Sequence, residues 1–228
     1  CQQITNNLLN EFKDDEENQI GNRAVLYCSM EMSRDLLITR YLVQEHEFDP
    51  SRLHSPEKLV ENDWERFEEL REQIFDLPLL INDSVILTVD RVEECIEQFK
   101  INYDIKLVVL DYLQLLSDPN SLGGTETNRL DQTVTKVKEL ARNFSLHILL
   151  VSSLSRGQYG EEPSSKNLRG SQGIAYSADN VVILNKLEEG KNFVWFKVAK
   201  QRNGPTGKFL LKWEGERLKF RDASQEEE

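Results

Sequence analysis

Leu107-Val108-Val109-Leu110-Asp111 is an uninterrupted apolar run closed by a carboxylate. A strand that is apolar at every position, rather than at every second one, is buried on both faces, as in a parallel sheet covered by helices. The same signature occurs upstream in Ala24-Val25-Leu26-Tyr27-Cys28-Ser29-Met30 and downstream from His147 to Val151. Pro78 to Asn82 and Asn180 to Leu184 read as two further buried strands. Between the strands, apolar residues recur at helical spacing: Ile4, Leu8, Leu9 and Phe12; Leu59, Trp64, Phe67, Leu70 and Ile74; Val89, Val92, Ile96 and Phe99; Leu130, Val134, Val137 and Ala141. Ser33 is placed to cap another helix running to about Glu47. This alternation predicts an α/β fold with a mostly parallel sheet flanked by helices. The chain then changes style. Phe193 to Lys200 and Lys208 to Trp213 flank Asn203-Gly204-Pro205-Thr206-Gly207, which predicts a C-terminal antiparallel hairpin.

The 228 residues are 39% hydrophobic and 30% charged, which allows one sizeable core and excludes collagen-like and disordered chains. No apolar run approaches the roughly 18 residues that span a bilayer, so no membrane association is expected. Cys1, Cys28 and Cys95 are too scattered for a disulfide framework and favour a reducing compartment. His46, His54 and His147 lack metal-ligand spacing, which argues against a zinc protein. Charge is unevenly spread: residues 1–100 hold 10 Lys+Arg against 23 Asp+Glu, and residues 101–228 hold 18 against 17. The net charge of −12 argues against a general nucleic-acid binder. Affinity for phosphate follows local patches, however, and residues 186–221 carry ten bases and four acids. The acidic runs Asp14-Asp15-Glu16-Glu17 and Glu226-Glu227-Glu228 read as solvated loop and tail. One domain over residues 1–221 and an acidic tail over 222–228 are expected.

An apolar strand ending in Asp111 has the form of a Walker B element, because nucleotide-bound Mg²⁺ takes one or two carboxylates at the C-terminal edge of a parallel sheet. Glu31, just past another strand, would share that edge and could orient a water. Read alone, Glu31 is equally a first-turn acid favourable to a helix dipole. Lys200 and Arg202, two apart on one strand face, are read alone as basic residues on a solvated hairpin.

Four stretches come in the order and spacing of a known family: Tyr27 to Ser33, Asp111-Tyr112-Leu113-Gln114-Leu115, Ser152-Ser153-Leu154-Ser155-Arg156, and Ala199-Lys200-Gln201-Arg202-Asn203-Gly204-Pro205-Thr206-Gly207. The chain resembles the C-terminal, RecA-like motor domain of the DnaB-type replicative DNA helicases, from the opening helix to about Phe220. The resemblance implies a RecA-like P-loop NTPase core that uses ATP and Mg²⁺. Glu31 would activate water, Asp111 would serve the Mg²⁺, and Gln114 and Ser153 would contact the nucleotide. Lys200 and Arg202 would act on the ATP of the neighbouring subunit, Arg202 as an arginine finger. Residues 155–178 resemble the second DNA-binding loop, with Arg169, Gly170 and Gln172 toward single-stranded DNA, and Ser117–Arg129 resembles the first. Implied partners are single-stranded DNA, five further copies in a homo-hexamer, and a primase or helicase loader. The implied setting is the cytoplasm of a bacterial or phage-infected cell, with an organelle as the other option.

Three departures accompany the resemblance. Ser153 stands where the family usually carries Gln in its Ser-Gln-Leu-Ser-Arg motif. Leu168-Arg169-Gly170-Ser171 has Gly170 in place of an acid, nearer to the phage and mitochondrial primase-helicase branch. No G-x-x-x-x-G-K-[ST] phosphate loop occurs; Gly204-Pro205-Thr206-Gly207-Lys208 has the wrong spacing and no following Ser or Thr. The expectation is a sequence that begins just after the phosphate loop and first core strand, which by itself does not hydrolyse ATP and is mostly monomeric. Another RecA-like ATPase, recombinase or KaiC-type, and a non-hydrolysing oligomerisation or single-strand-binding fragment are the alternatives. Replacing Arg169 with Ala is expected to weaken single-stranded DNA binding equally across sequences at low salt, because phosphate contacts carry no base information. Titration of several labelled oligonucleotides checks this; unchanged affinity would move the DNA site elsewhere.

Overall fold

The computed structural model describes residues 1–14, 22–53, 55–117, 125–154, 172–186 and 192–223. The elements run in order as α1 (Gln2–Asp14), β1 (Arg23–Ser29), α2 (Arg34–His46), α3 (Pro50–Leu53), α4 (Glu61–Phe75), β2 (Leu79–Asn82), β3 (Leu87–Thr88), α5 (Val89–Phe99), β4 (Asp104–Asp111), β5 (Leu116–Ser117), α6 (Glu126–Asn143) and β6 (His147–Leu150). There follow α7 (Gln172–Ser177), β7 (Asn180–Lys186), β8 (Phe193–Gln201), β9 (Gly207–Glu214) and β10 (Lys219–Asp222).

Strands β2, β1, β4 and β6 form a parallel sheet in that order, with the two apolar runs β1 and β4 at its centre. Alternate residues of a strand point to opposite faces, and both faces are covered. Leu26, Cys28, Met30, Val108 and Leu110 face a layer that includes Val92 and Ile96 of α5 and Val137 and Leu140 of α6. Val25, Tyr27 and Val109 face Leu9 and Phe12 of α1 and Leu37 of α2. Each fully buried aliphatic side chain contributes about 1.5–3 kcal/mol, so this two-sided core sets the position of everything at the sheet edge. Helix starts are closed by hydroxyls: Ser33 accepts from the Leu36 amide, Thr88 from Arg91 and Thr125 from Asn128.

In three places the structure differs from the periodic reading. Helix α1 buries Thr5, Asn6, Leu9 and Phe12, while Ile4 is half exposed. The helix is rotated because Asn6 Nδ2 donates to Gln44 Oε1 at 2.7 Å and Gln44 Nε2 donates to the Leu218 carbonyl at 2.6 Å. Helix α4 leaves Trp64 56% exposed and has Asp63 as its buried residue, accepting from the Val60 amide and paired with Arg52 at 3.3 Å. Its Phe67 stacks on Phe48 with centroids 4.7 Å apart. The third difference is β7, which alternates buried and exposed residues and pairs antiparallel with β8. The hairpin β8–β9 is therefore the middle of a four-stranded antiparallel sheet ordered β10-β9-β8-β7. An alternating strand covered on one face fits such a sheet, and a continuous apolar one does not. Strand β10 extends to Asp222, and the Ala223 amide donates to the Leu210 carbonyl, while residues 224–228 of the acidic tail and 15–21 of the acidic loop lie outside the described residues.

Among the described residues no helix is long and apolar enough to cross a membrane. Leu110→Ala is expected to destabilise the protein by about 2–5 kcal/mol, since Leu110 is fully buried at the centre of the sheet. Urea unfolding checks this, and a loss under about 1 kcal/mol would mean that the central sheet is loosely packed.

Candidate functional site

The register of the two central strands builds the site. β1 and β4 run parallel with Ser29 opposite Asp111, and the Met30 amide donates to the Asp111 carbonyl at 3.0 Å. Both strands therefore stop at the same C-terminal edge. Glu31, two residues past Ser29 and exposed, stands on that edge with Asp111. Ser29 Oγ accepts from the Met32 amide at 3.1 Å, closing the turn that presents Glu31. From β6, the Val151 amide donates to the Leu110 carbonyl and the Leu113 amide donates to the Val151 carbonyl. This brings Ser152 and Ser153 beside Gln114, whose Nε2 donates to Ser152 Oγ at 2.9 Å and whose Oε1 accepts from the Ser153 amide at 3.3 Å. Asp111, Glu31, Gln114 and Ser153 thus converge on one edge. The Ser153 hydroxyl is buried without a hydrogen-bond partner among the described residues.

Asp111 is held from behind. The Tyr27 hydroxyl donates to Asp111 Oδ2 at 2.9 Å, while Oδ1 accepts no hydrogen bond among the described residues. Burial first, and the Asp111 charge and hydrogen bond next, hold the Tyr27 phenol well above the ordinary tyrosine value; Arg40 opposes this. The start of α1 lies within electrostatic reach of this edge, since the Cys1 nitrogen senses the charges of Asp111 and Arg40. Arg40 is exposed and makes no hydrogen bond or ion pair among the described residues. It also lines a cavity of about 520 Å³ between α1 and the antiparallel sheet, with Gln3, Trp213, Phe220 and Arg221 on its walls. On the opposite face of β1, burial and the nearby Cys95 push the Cys28 thiol up to about 12. It packs as a core apolar group.

Lys200 and Arg202 are not brought to this edge within the chain. Lys200 Nζ donates to the carbonyls of Ala175, Tyr176 and Ala178 at 2.9, 3.1 and 2.7 Å. Arg202 Nη1 pairs with Asp179 Oδ1 at 2.7 Å, and the Arg202 amide donates to the Asp179 carbonyl. Both side chains are engaged by the segment that ends α7. Gln172 begins α7, and Arg169 and Gly170 lie outside the described residues, as do residues 118–124 of the first expected loop.

The profile of the DnaB-like helicase C-terminal domain matches residues 3–222, nearly the whole chain. The chain belongs to that family. It is 28% identical over 235 residues to a probable replicative DNA helicase of Trieres chinensis, covering 97% of this chain and 50% of that protein. It is also 28% identical over 208 residues to the replicative DNA helicase DnaB of Geobacillus stearothermophilus, covering 87% and 46%. The chain therefore spans about half the length of the curated relatives it matches. A DnaB-like replicative helicase solved for its interactions with primase superimposes on it with a TM-score of 0.79 and 25% identity, covering 89% of this chain and 51% of that one. The fold is RecA-like, and a solved ATPase domain gives a TM-score of 0.80 at 24% identity, covering 96% and 80%.

Within this DnaB-like domain the carboxylates were legible as strand-end residues, but their supports were not. Tyr27 reads as one more apolar residue of a buried strand, and its hydroxyl finds Asp111 only because β1 and β4 are neighbours. Arg40 reads as one charge on a helix; only the tertiary packing sets it on the cavity wall within electrostatic reach of Tyr27. Gln2, whose Nε2 donates to the Leu37 carbonyl at 2.6 Å, ties α1 and α2 together.

Tyr27 supplies a test of this geometry. The native state keeps a proton that the unfolded chain releases at a pKa of about 10. The resulting stabilisation is complete below that pH and is lost as pH rises toward the native value, by up to about 1.4 kcal/mol per pH unit. Tyr27→Phe lacks the ionising group, so between about pH 10 and 11 its urea midpoint is expected to fall less steeply than that of the unsubstituted protein. Equal slopes would mean that the phenol is not held against Asp111.

Proposed function

We propose that the chain is the motor domain of a replicative DNA helicase that hydrolyses ATP between subunits of a homo-hexameric ring and translocates on single-stranded DNA. The observation that carries this reading is the placement of Asp111 and Glu31 on one sheet edge beside the start of α1, in a chain of the DnaB-like family. A helix N-terminus with two carboxylates opposite it suits a triphosphate whose charge is shared with a cation.

The donor set fits Mg²⁺. Asp111 offers an oxygen that accepts no hydrogen bond, and no group of three or more His, Cys, Asp or Glu that could hold a metal occurs among the described residues. Mg²⁺ needs few protein ligands because it keeps waters and substrate phosphates in its shell. When bound, the ion neutralises phosphate charge as the terminal group is transferred. Asp111 would hold it, oriented by Tyr27. Glu31 would hold a water through its exposed carboxylate and take its proton. Gln114, fixed by Ser152 and the Ser153 amide, would carry the state of the nucleotide into the strand edge, with the Ser153 hydroxyl available for a polar partner. The cavity bounded by Arg40, Trp213 and Phe220 is contiguous with the α1 start through Cys1 and would take the base.

Lys200 and Arg202 make no contact with Asp111 or Glu31 in their own chain, which supports action on a neighbour's nucleotide. Arg169, Gly170 and Gln172 remain the proposed contacts to single-stranded DNA, through backbone amides and a guanidinium. A primase or loader contact is part of the same proposal, supported by the solved relative's interactions with primase. Such a protein works where DNA is replicated, in a bacterial or phage-infected cytoplasm or an organelle.

The test uses the protein expressed from its complete gene. Arg202→Ala is expected to lower ATP turnover by a factor on the order of 10³ while nucleotide binding persists, because a finger acts on charge that develops in the transition state. Rings mixed from Arg202→Ala and Glu31→Ala subunits are expected to recover part of the turnover, at interfaces where an intact finger meets an intact glutamate. Near-normal turnover of Arg202→Ala alone would remove the finger assignment.

A further inference from the structure

The hydroxyl of Tyr27 adds nothing to the packing of its ring. The residue is 3% exposed and lies in the layer of Leu9, Phe12, Leu37 and Val109, where a phenylalanine would bury the same apolar surface. In the β1–β4 register Tyr27 stands opposite Val109, and Asp111 is the next residue of β4 on that face. The ring cannot turn away from the strand end without opening the core. Among the described residues its hydroxyl makes one hydrogen bond, to Asp111 Oδ2 at 2.9 Å. A buried hydroxyl left unpaired is costly, so this contact is enforced from the core side.

The carboxylate is thereby divided. Oδ2 is taken by a charge-assisted hydrogen bond, and Oδ1 accepts none among the described residues. Ser29 stands directly across from Asp111, but its hydroxyl is engaged with Met32, donating to the carbonyl at 2.7 Å and accepting from the amide at 3.1 Å. Asp111 therefore meets a ligand with one oxygen rather than two. Divalent cations differ in what they ask of a carboxylate. Mg²⁺ is small, holds near-octahedral geometry and is served by single oxygens. Ca²⁺ takes about six to eight oxygens and accepts both oxygens of one carboxylate.

We propose that Tyr27 is a positioning residue that restricts Asp111 to one ligand-facing oxygen and so selects Mg²⁺ over Ca²⁺ as the ion that accompanies the nucleotide. For Asp111 to offer both oxygens, the phenol must give up its acceptor while its ring stays fixed in the core. That penalty falls on an ion that uses a carboxylate through both oxygens, and it spares one that uses a single oxygen directly or through a bound water. The inference rests on the reading of Asp111 as the carboxylate that serves the nucleotide's cation.

The experiment uses the protein expressed from its complete gene and a fluorescent, non-hydrolysable ATP analogue, with binding followed as Mg²⁺ or Ca²⁺ is titrated. The quantity read is the ratio of the Ca²⁺ to the Mg²⁺ concentration at half-maximal binding. Tyr27→Phe keeps the ring and frees Oδ2, and is expected to lower that ratio about tenfold, the lower end of what a hydrogen bond to a charged group is worth. If Tyr27→Phe does not fold, Asp111→Glu is read in its place. It keeps the phenol but carries the carboxylate past it, and the same fall in the ratio is expected. A merely structural Tyr27 would lower the melting temperature and weaken binding with both ions alike, and an unchanged ratio overturns the proposal. Asp111→Ala separates the two readings. Loss of cation-dependent binding in Asp111→Ala with an unchanged ratio in Tyr27→Phe leaves Asp111 in its role and removes the selection by Tyr27. Unchanged cation dependence in Asp111→Ala removes both.

Discussion

The parallel pairing of β1 with β4 is the constraint on which the rest depends. Its register sets Ser29 against Asp111, and from that one alignment follow the shared strand ends, the turn that carries Glu31 and the hydrogen bond from Tyr27 to Asp111. Two adjacent strands that are apolar on both faces can be satisfied only by helices on both sides. The layers of α1 and α2 on one face and α5 and α6 on the other are thus consequences of the pairing. The core behind the edge is buried and apolar, so the carboxylates lie where the strands end rather than within it.

The antiparallel sheet plays a different part. It joins the first layer through a chain of amides: Asn6 to Gln44, and Gln44 to the Leu218 carbonyl. Gln3 adds a second tie, donating to the Phe220 carbonyl and accepting from its amide at 2.8 Å each. Both ties run from α1, the helix whose start faces Asp111. The cavity with Trp213 and Phe220 is therefore walled on one side by the start of α1, through Cys1, Gln2 and Gln3. The same sheet presents Lys200 and Arg202 to the end of α7.

Several features first read as functional turn out to have structural partners as well. Lys200 is half of a helix terminus before it is anything else, and Arg202 already has a carboxylate. The Arg202–Asp179 pair is more than half exposed on both sides, so it is worth little on its own. The buried Ser153 hydroxyl is the reverse case: a polar atom at the C-terminal edge of the parallel sheet with no partner among the described residues.

The linear chain determined the parallel core, the strand-end position of Asp111 and Glu31, the capping of α2 by Ser33, and membership of the family. Each of these depends on residues near one another in sequence, where periodicity and spacing act directly. Tertiary structure alone decided the rotation of α1, which two amide side chains override against the helical stripe, and the transfer of Asn180–Leu184 into an antiparallel sheet. It also decided which residues support the site. Tyr27 and Asp111 are 84 positions apart, and Lys200 lies 22 to 25 residues from the carbonyls it binds. A hydrogen bond across such a separation leaves no period in the sequence, because its partners are chosen by the strand order and packing of the whole domain.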